Sequence, residues 1–163
     1  MKKDFDFWQE HSMQYLEMAF RTDRRMSAAN PDGYGKRIGA CGDSVEIFLI
    51  VKNEKIQTVS YEINGCLNTN ACANTVADLA MGKTVEKAWE ITPEKIAEYL
   101  GTLPPAEIHC AEVAAGAFYL ALTNYQEHSA MHDMTHAAGN LEAPPTGLTN
   151  HQINDGNPQP SNG

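Results

Sequence analysis

Two short runs of β-branched and aromatic residues, separated by two turn residues, constrain the fold of this 163-residue chain more than any other feature. SVEIFLIVKN sets Val45, Ile47, Leu49 and Val51 on one strand face, and KIQTVSYEING sets Val59, Tyr61 and Ile63 on one face of a second strand. With the turn at Asn53-Glu54 between them, the pattern predicts a β-hairpin. Downstream the periodicity becomes helical. Asn68 to Gly82 predicts one helix, and Thr84 to Ile91 a short second one. Thr92-Pro93-Glu94 reads as an N-cap with proline in the first turn of a helix ending near Gly101. Pro104-Pro105 opens a long helix to about Gln126, with Val113, Ala117 and Leu120 in one stripe and Ala114, Phe118, Ala121 and Tyr125 in its neighbour. A hairpin followed by helices implies an α+β domain, with helices packed on one side of a small antiparallel sheet.

Upstream, residues 5 to about 20 place Trp8, Tyr15, Met18 and Ala19 at helical spacing. Asn30-Pro31-Asp32-Gly33 and Gly35 then mark a loop. The far end has little to bury: GNLEAPPTGLTNHQINDGNPQPSNG, from Gly139, cannot offset its own ordering entropy. The expected organisation is an N-terminal helix and loop over 1–29, the main domain over 30–137 and a disordered tail over 138–163.

A net charge of −9 disfavours nucleic-acid binding, which runs on clusters of Lys and Arg. No eighteen-residue apolar run offers a membrane span, and DFDFWQEH after Lys2-Lys3 is not a secretory signal, so the expected location is cytoplasmic. Thiols stay reduced there, so the four cysteines are expected to be ligands, nucleophiles or core residues rather than disulfides.

Three of them fall at special places. Cys41 ends the glycine-rich loop in GACGD, Cys66 follows Gly65 at the end of the second predicted strand, and Cys110 lies beside His109 near the start of the long helix. Local amides and the helix dipole favour the thiolate, the form that ligates and attacks. Spacing alone leaves both a metal site and incidental burial open, since free cysteine is often core and no C-x-x-C is present.

Four short motifs in order sharpen this: G-x-C-G-D at 39–43, G-C at 65–66, G-K-T at 82–84 and L-P-P-x-x-I-H-C at 103–110. Together they resemble the IscU/NifU N-terminal family of iron–sulfur cluster assembly scaffolds, over roughly residues 30–126. The resemblance implies that Cys41, Cys66 and Cys110 bind the cluster, with Asp43 and His109 as the further ligands. It also implies that Cys110 accepts persulfide sulfur from a cysteine desulfurase. The implied cargo is a transient [2Fe–2S] cluster built from iron, and zinc is a further occupant of the isolated protein, since it takes the same donors. Implied partners are that desulfurase, a ferredoxin-type reductant and apo iron–sulfur recipients. The chain is expected not to be an enzyme in the ordinary sense.

Several residues depart from the family pattern. The Gly-Ser-Ala run after the middle cysteine is replaced by Leu67-Asn68-Thr69-Asn70-Ala71-Cys72. Cys72 is thus an extra thiol, read as core or as an auxiliary ligand. Where members carry L-P-P-V-K, this chain has Leu103-Pro104-Pro105-Ala106-Glu107; the inverted charge speaks against delivery through an Hsp70/J-protein chaperone. His128, His132 and His136 recur at intervals of four, a spacing that binds metal if the helix continues and is otherwise a solvated helix end. The alternative function is a zinc-dependent sulfurtransferase accepting persulfide sulfur. That branch carries an insertion between its second and third ligand cysteines, and the stretch from Cys66 to Cys110 is too short for one. A zinc-stabilised binding protein is the third reading.

Overall fold

The computed structural model describes residues 7–40 and 42–140. The α+β expectation holds, with one more strand than the hairpin pattern predicts. β1 (Gly33–Ile38), β2 (Ser44–Lys52) and β3 (Lys55–Asn64) form an antiparallel meander in the order β1-β2-β3. The tight β2–β3 turn is made by Asn53 (φ 53°) and Glu54 (φ 63°), the left-handed pair that suits the twist of a two-residue hairpin.

β1 occupies the segment that the glycines and Pro31 marked as a loop. Its sequence, GYGKRI, lacks a β-branched run because its inner face has no room for one. A Cβ on Gly35 would lie 2.2 Å from the carbonyl oxygen of Ala117 and 2.4 Å from the amide nitrogen of Ala121. The glycines let a helix backbone lie directly on the strand.

Register explains why helices cover one face only. Gly33 pairs with Leu49, Gly35 with Ile47 and Arg37 with Val45; Val45, Ile47 and Leu49 pair with Ile63, Tyr61 and Val59. Paired residues share a face, and Val45, Ile47, Leu49, Val59 and Tyr61 are buried there. The other face carries Tyr34, Glu46 and Glu62, with the Tyr34 hydroxyl donating to Glu46 at 2.6 Å.

The expected N-terminal helix is split into α1 (Phe7–Glu10) and α2 (Met13–Phe20), because the Ser12 hydroxyl caps a fresh start by accepting from the Tyr15 amide. Tyr15, Met18 and Ala19 are buried as the spacing implied, whereas Trp8 is 63% exposed and stacks on Phe20. The region after α2 follows β3, where the Tyr61 amide donates to the Arg24 carbonyl.

α3 (Leu67–Ala80) docks on α2 through two buried asparagines. The Asn70 and Asn74 side-chain amides donate to the carbonyls of Met18 and Arg21, which α2 leaves without partners at its C-terminus. Leaving such buried carbonyls unmet costs about 1–3 kcal/mol each. α4 (Val85–Ala88) is shorter than the pattern over Thr84–Ile91, and α5 (Pro93–Leu100) starts at the Thr92 cap and ends at Gly101 as read.

Pro105–Glu107 forms one turn of 3-10 helix, and α6 then runs Ile108–Asn140, well past Gln126. Of its predicted stripes, Val113, Ala114, Ala117, Phe118 and Ala121 are buried, while Leu120 is 48% exposed. α6 crosses β1 antiparallel to it: Gly33 faces Ala121 and Tyr125, Gly35 faces Ala117, and Arg37 lies over Gly116. The compact unit built this way ends at Ser129. The proposed tail lies outside the described residues from position 141 onward.

Candidate metal centre

The sheet register delivers two of the predicted ligands to one place. Ser44 opens β2 and pairs with Asn64, the last residue of β3, so Asp43 stands opposite Gly65 and next to Cys66. α6 adds the third element. Its course along β1 carries its first turn to the same end of the sheet, where His109, Glu112 and Val113 line a cavity with Ile38, Gly39 and Ala40. Cys110 is in that first turn. Cys41, which falls between β1 and β2 in the sequence, lies outside the described residues.

Two sets of ligand atoms meet there. Asp43, His109 and Cys110 form one triad and Cys66, Glu107 and Cys110 another, each with its donor atoms within 4.8 Å of one another. They share Cys110 Sγ. Among the described residues no other grouping of this kind occurs. His128 and His132 are exposed on α6 and belong to neither triad; the side chain of His136 lies outside the described residues.

Thr69 stands in the middle of the cluster. Its hydroxyl donates to Asp43 Oδ2 at 3.0 Å, and the same oxygen lies 3.6 Å from Cys66 Sγ and 3.7 Å from Cys110 Sγ. A hydroxyl has one proton, so its firm bond is to the carboxylate. Thr69 also explains Gly65: a Cβ there would come within 2.6 Å of Thr69 Oγ1. Neither Thr69 nor Glu107 was read from sequence as part of the site. The signal available was spacing, since each sits three residues from a candidate cysteine at a helix start, where such pairs face each other.

The two described thiols in the triads differ in character. Cys66 is exposed at the N-cap of α3. Its partial burial pushes the thiol pKa up, but the amides of Thr69 and Asn68 and the Thr69 hydroxyl outweigh that, and the net direction is down. Cys110 is buried, and burial pushes its pKa up to about 12; the Thr69 hydroxyl lowers it, while Cys66 and Glu107 raise it further. Cys72, a further turn into α3, is fully buried among alanines, and its thiol is raised well above the usual range by that burial.

His109 presents one nitrogen to the cluster. Its Nδ1 lies 3.2 Å from the Ala106 carbonyl, which can only accept, so in the neutral ring Nδ1 carries the proton. The lone pair is then on Nε2, 3.6 Å from Cys110 Sγ. Two thiols, two carboxylates and an imidazole make a donor set suited to iron or zinc rather than to magnesium or calcium.

Comparison with known proteins gives the same direction. The sequence model described as "NifU-like N terminal domain" matches residues 27–132. An iron–sulfur cluster assembly scaffold protein IscU 1 from Archaeoglobus fulgidus is 36% identical over 85 residues, covering 52% of this chain and 56% of that protein. A nitrogen fixation protein NifU from Nostoc sp. is 30% identical over 89 residues, covering 53% of this chain and 30% of that protein. The chain spans about half the length, or less, of these curated relatives. A crystal structure of a nitrogen-fixing NifU-like protein (N-terminal) from Brucella abortus superimposes with a TM-score of 0.59 at 15% identity, over 71% of this chain and 94% of that one, a likeness of fold.

Proposed function

We propose that this chain, which belongs to the NifU-like N-terminal domain family, is a scaffold on which an iron–sulfur cluster is built before passing to other proteins. The observation that carries the reading is the meeting of the two triads on Cys110, at the end of the sheet where three separate segments converge. The cluster, [2Fe–2S] in this proposal, is cargo. Cys41, Cys66 and Cys110 are its thiolate ligands, and Asp43 and His109 supply weaker, exchangeable ones. A scaffold has to release its product, and an oxygen or nitrogen ligand lets go more easily than a fourth thiolate.

The chain's residues divide the work. Cys66, accessible and held low by the α3 amides, is the thiolate available to the first ion. Cys110 becomes a thiolate when a cation arrives beside it, because a metal ligand has to give up its proton. Thr69 fixes the Asp43 carboxylate, and the Ala106 carbonyl fixes the His109 tautomer. As persulfide acceptor, Cys110 would attack the terminal sulfur of the desulfurase persulfide, take that sulfur and release the desulfurase thiolate. Two electrons from a ferredoxin-type reductant then bring the sulfur to sulfide. Apo iron–sulfur proteins are the proposed recipients. Glu107 in place of lysine speaks against the Hsp70/J-protein route. No described helix is long and apolar enough to cross a membrane.

Anaerobic incubation with ferrous iron, cysteine and a cysteine desulfurase tests the proposal. A labile [2Fe–2S] absorption spectrum, followed by transfer to an apo-ferredoxin, is the expected result. Sulfur transfer to an acceptor without any cluster band would instead favour the zinc-dependent sulfurtransferase.

A further inference from the structure

The geometry points to Glu107 as an additional carboxylate ligand of the centre, holding a divalent ion together with Cys66 and Cys110. The inference deepens the scaffold reading and rests on it for the identity of the ion, ferrous iron.

Glu107 owes its place to the two prolines before it. Pro104 and Pro105 fix the backbone entering the 3-10 turn, and the Glu107 amide closes that turn on the Pro104 carbonyl at 2.8 Å. The side chain leaves this rigid corner three residues ahead of Cys110. There the Cys110 thiol donates to Glu107 Oε2 at 3.7 Å, and His109 Nε2 lies 3.6 Å from the same oxygen. The carboxylate is partly exposed, so an ion reaches it from solvent.

Separation and chemistry both fit a metal. Donors on a tetrahedral ion with bonds of about 2.0–2.3 Å lie roughly 3.3–3.8 Å apart. Cys66, Glu107 and Cys110 already have their ligand atoms within 4.8 Å of one another, so small side-chain rotations close the set. A carboxylate is a hard ligand that suits a ferrous ion arriving with its water, and it is more easily displaced than a thiolate when sulfide follows. Lysine, which the related motif carries here, is a cation at neutral pH and offers no such donor. The substitution therefore gives this chain an oxygen ligand at the mouth of the centre. Because Cys110 belongs to both triads, an ion entering at Glu107 already contacts the sulfur that the Asp43–His109 side uses.

Cobalt(II) is the probe, titrated anaerobically into the full-length, metal-free protein. Thiolate-to-cobalt charge-transfer absorption reports ligation, and chelator competition reports affinity. E107Q should weaken cobalt binding by at least ~10-fold, E107D should retain part of it, and E107K should be at least as damaging as E107Q. E127Q, which removes a charge from an exposed position on α6 far along the helix from Cys110 and outside both triads, should leave it unchanged. Thermal melting by circular dichroism checks that the variants are folded, and partial retention by E107D ties the loss to the carboxylate rather than to the fold. E107Q binding cobalt as wild type does would overturn the inference, and so would an equal loss in E127Q. Cluster reconstitution on the wild type separates the two levels. Normal cluster formation with Glu107-independent cobalt binding overturns the Glu107 ligand and leaves the scaffold standing. Glu107-dependent cobalt binding without any cluster supports the ligand and overturns the scaffold.

Discussion

Cys66 and Cys110 begin as the same device, a cysteine at the start of a helix, and end as different thiols. At α3 the sulfur is exposed at the cap and meets free amides, so its pKa falls. At α6 the 3-10 turn precedes the helix, and Cys110 is already inside it, packed beneath Thr69, with burial lifting the thiol to about 12. A helix start lowers a thiol only where the sulfur can reach the open amides; once the sulfur is buried, desolvation wins. One end of the centre is thus ready for a partner in the metal-free protein, and the other waits for a cation.

Removing the sulfurs breaks the comparison most severely. Cys41→Ala, Cys66→Ala and Cys110→Ala should each abolish stable cluster assembly, measured by absorption after reconstitution, whereas Cys72→Ala should leave most of it. Equal damage from Cys72→Ala would mean that the buried thiol takes part in ligation. Alkylation sharpens the contrast without mutation. In metal-free protein near pH 8, a thiol with pKa about 12 is thiolate in roughly one molecule in 10⁴, and a thiol held below its ordinary value by neighbouring amides is thiolate far more often. Cys66 should therefore take iodoacetamide at least ~100-fold faster than Cys110, as read by peptide mass spectrometry. Thr69→Val removes one of the groups that hold Cys66 low, and should slow its labelling. Comparable rates at both cysteines would end the distinction.

Cys66 and Cys110, which the fold brings into one cluster, stood out in the sequence because they sit in short motifs whose glycines and prolines have local reasons. The sequence made β2, β3, α3 and α5 legible because their faces are periodic and their caps are strong. β1 was hidden because its role is to be absent: Gly33 and Gly35 are strand residues chosen so that Ala117 and Ala121 of α6 can touch the backbone. That requirement lies over eighty residues downstream and has no local signature. The split of the first helix turns on the Ser12 hydroxyl, which also donates to the Leu100 carbonyl at 2.5 Å, a tertiary contact. Thr69 and Glu107 were missed for a related reason. Each acquires a role only when β2, α3 and α6 meet.

A smaller effect is expected where the comparison turns on carboxylates. Asp43 is held by Thr69 on the Cys110 side of the cluster, and oxygen is the more weakly held ligand for iron. Asp43→Ala should give a cluster that forms, resists chelators for longer than the wild-type cluster and transfers more slowly to apo-ferredoxin. A shorter lifetime would show that Asp43 retains the cluster rather than releasing it. The exchangeable position would then fall to His109 or to an external thiol.

The smallest effect should come from the part of α6 that lies furthest along the chain from Cys110. The compact unit ends at Ser129, and Met131, His132, Asp133, Met134 and Thr135 are exposed, with Met131 at 66% and Met134 at 72%. Exposed side chains on a helix add little to stability, and the residues from 138 onward are too poor in apolar surface to add a core. Truncation after Ser129 should leave the melting temperature within a few degrees and cluster yield unchanged, because α6 is fixed by Ala117, Phe118, Ala121 and Leu122, all fully buried before the cut. The alkylation contrast between Cys66 and Cys110 should survive as well, and that is the more demanding measurement. If Cys110 labelled faster in the truncated protein, the buried state of its sulfur would depend on residues beyond Ser129. A fall in metal uptake with the contrast intact would assign a metal-binding role to the histidine face of α6, from which the cut removes His132 and His136 and leaves His128, independent of the cysteines.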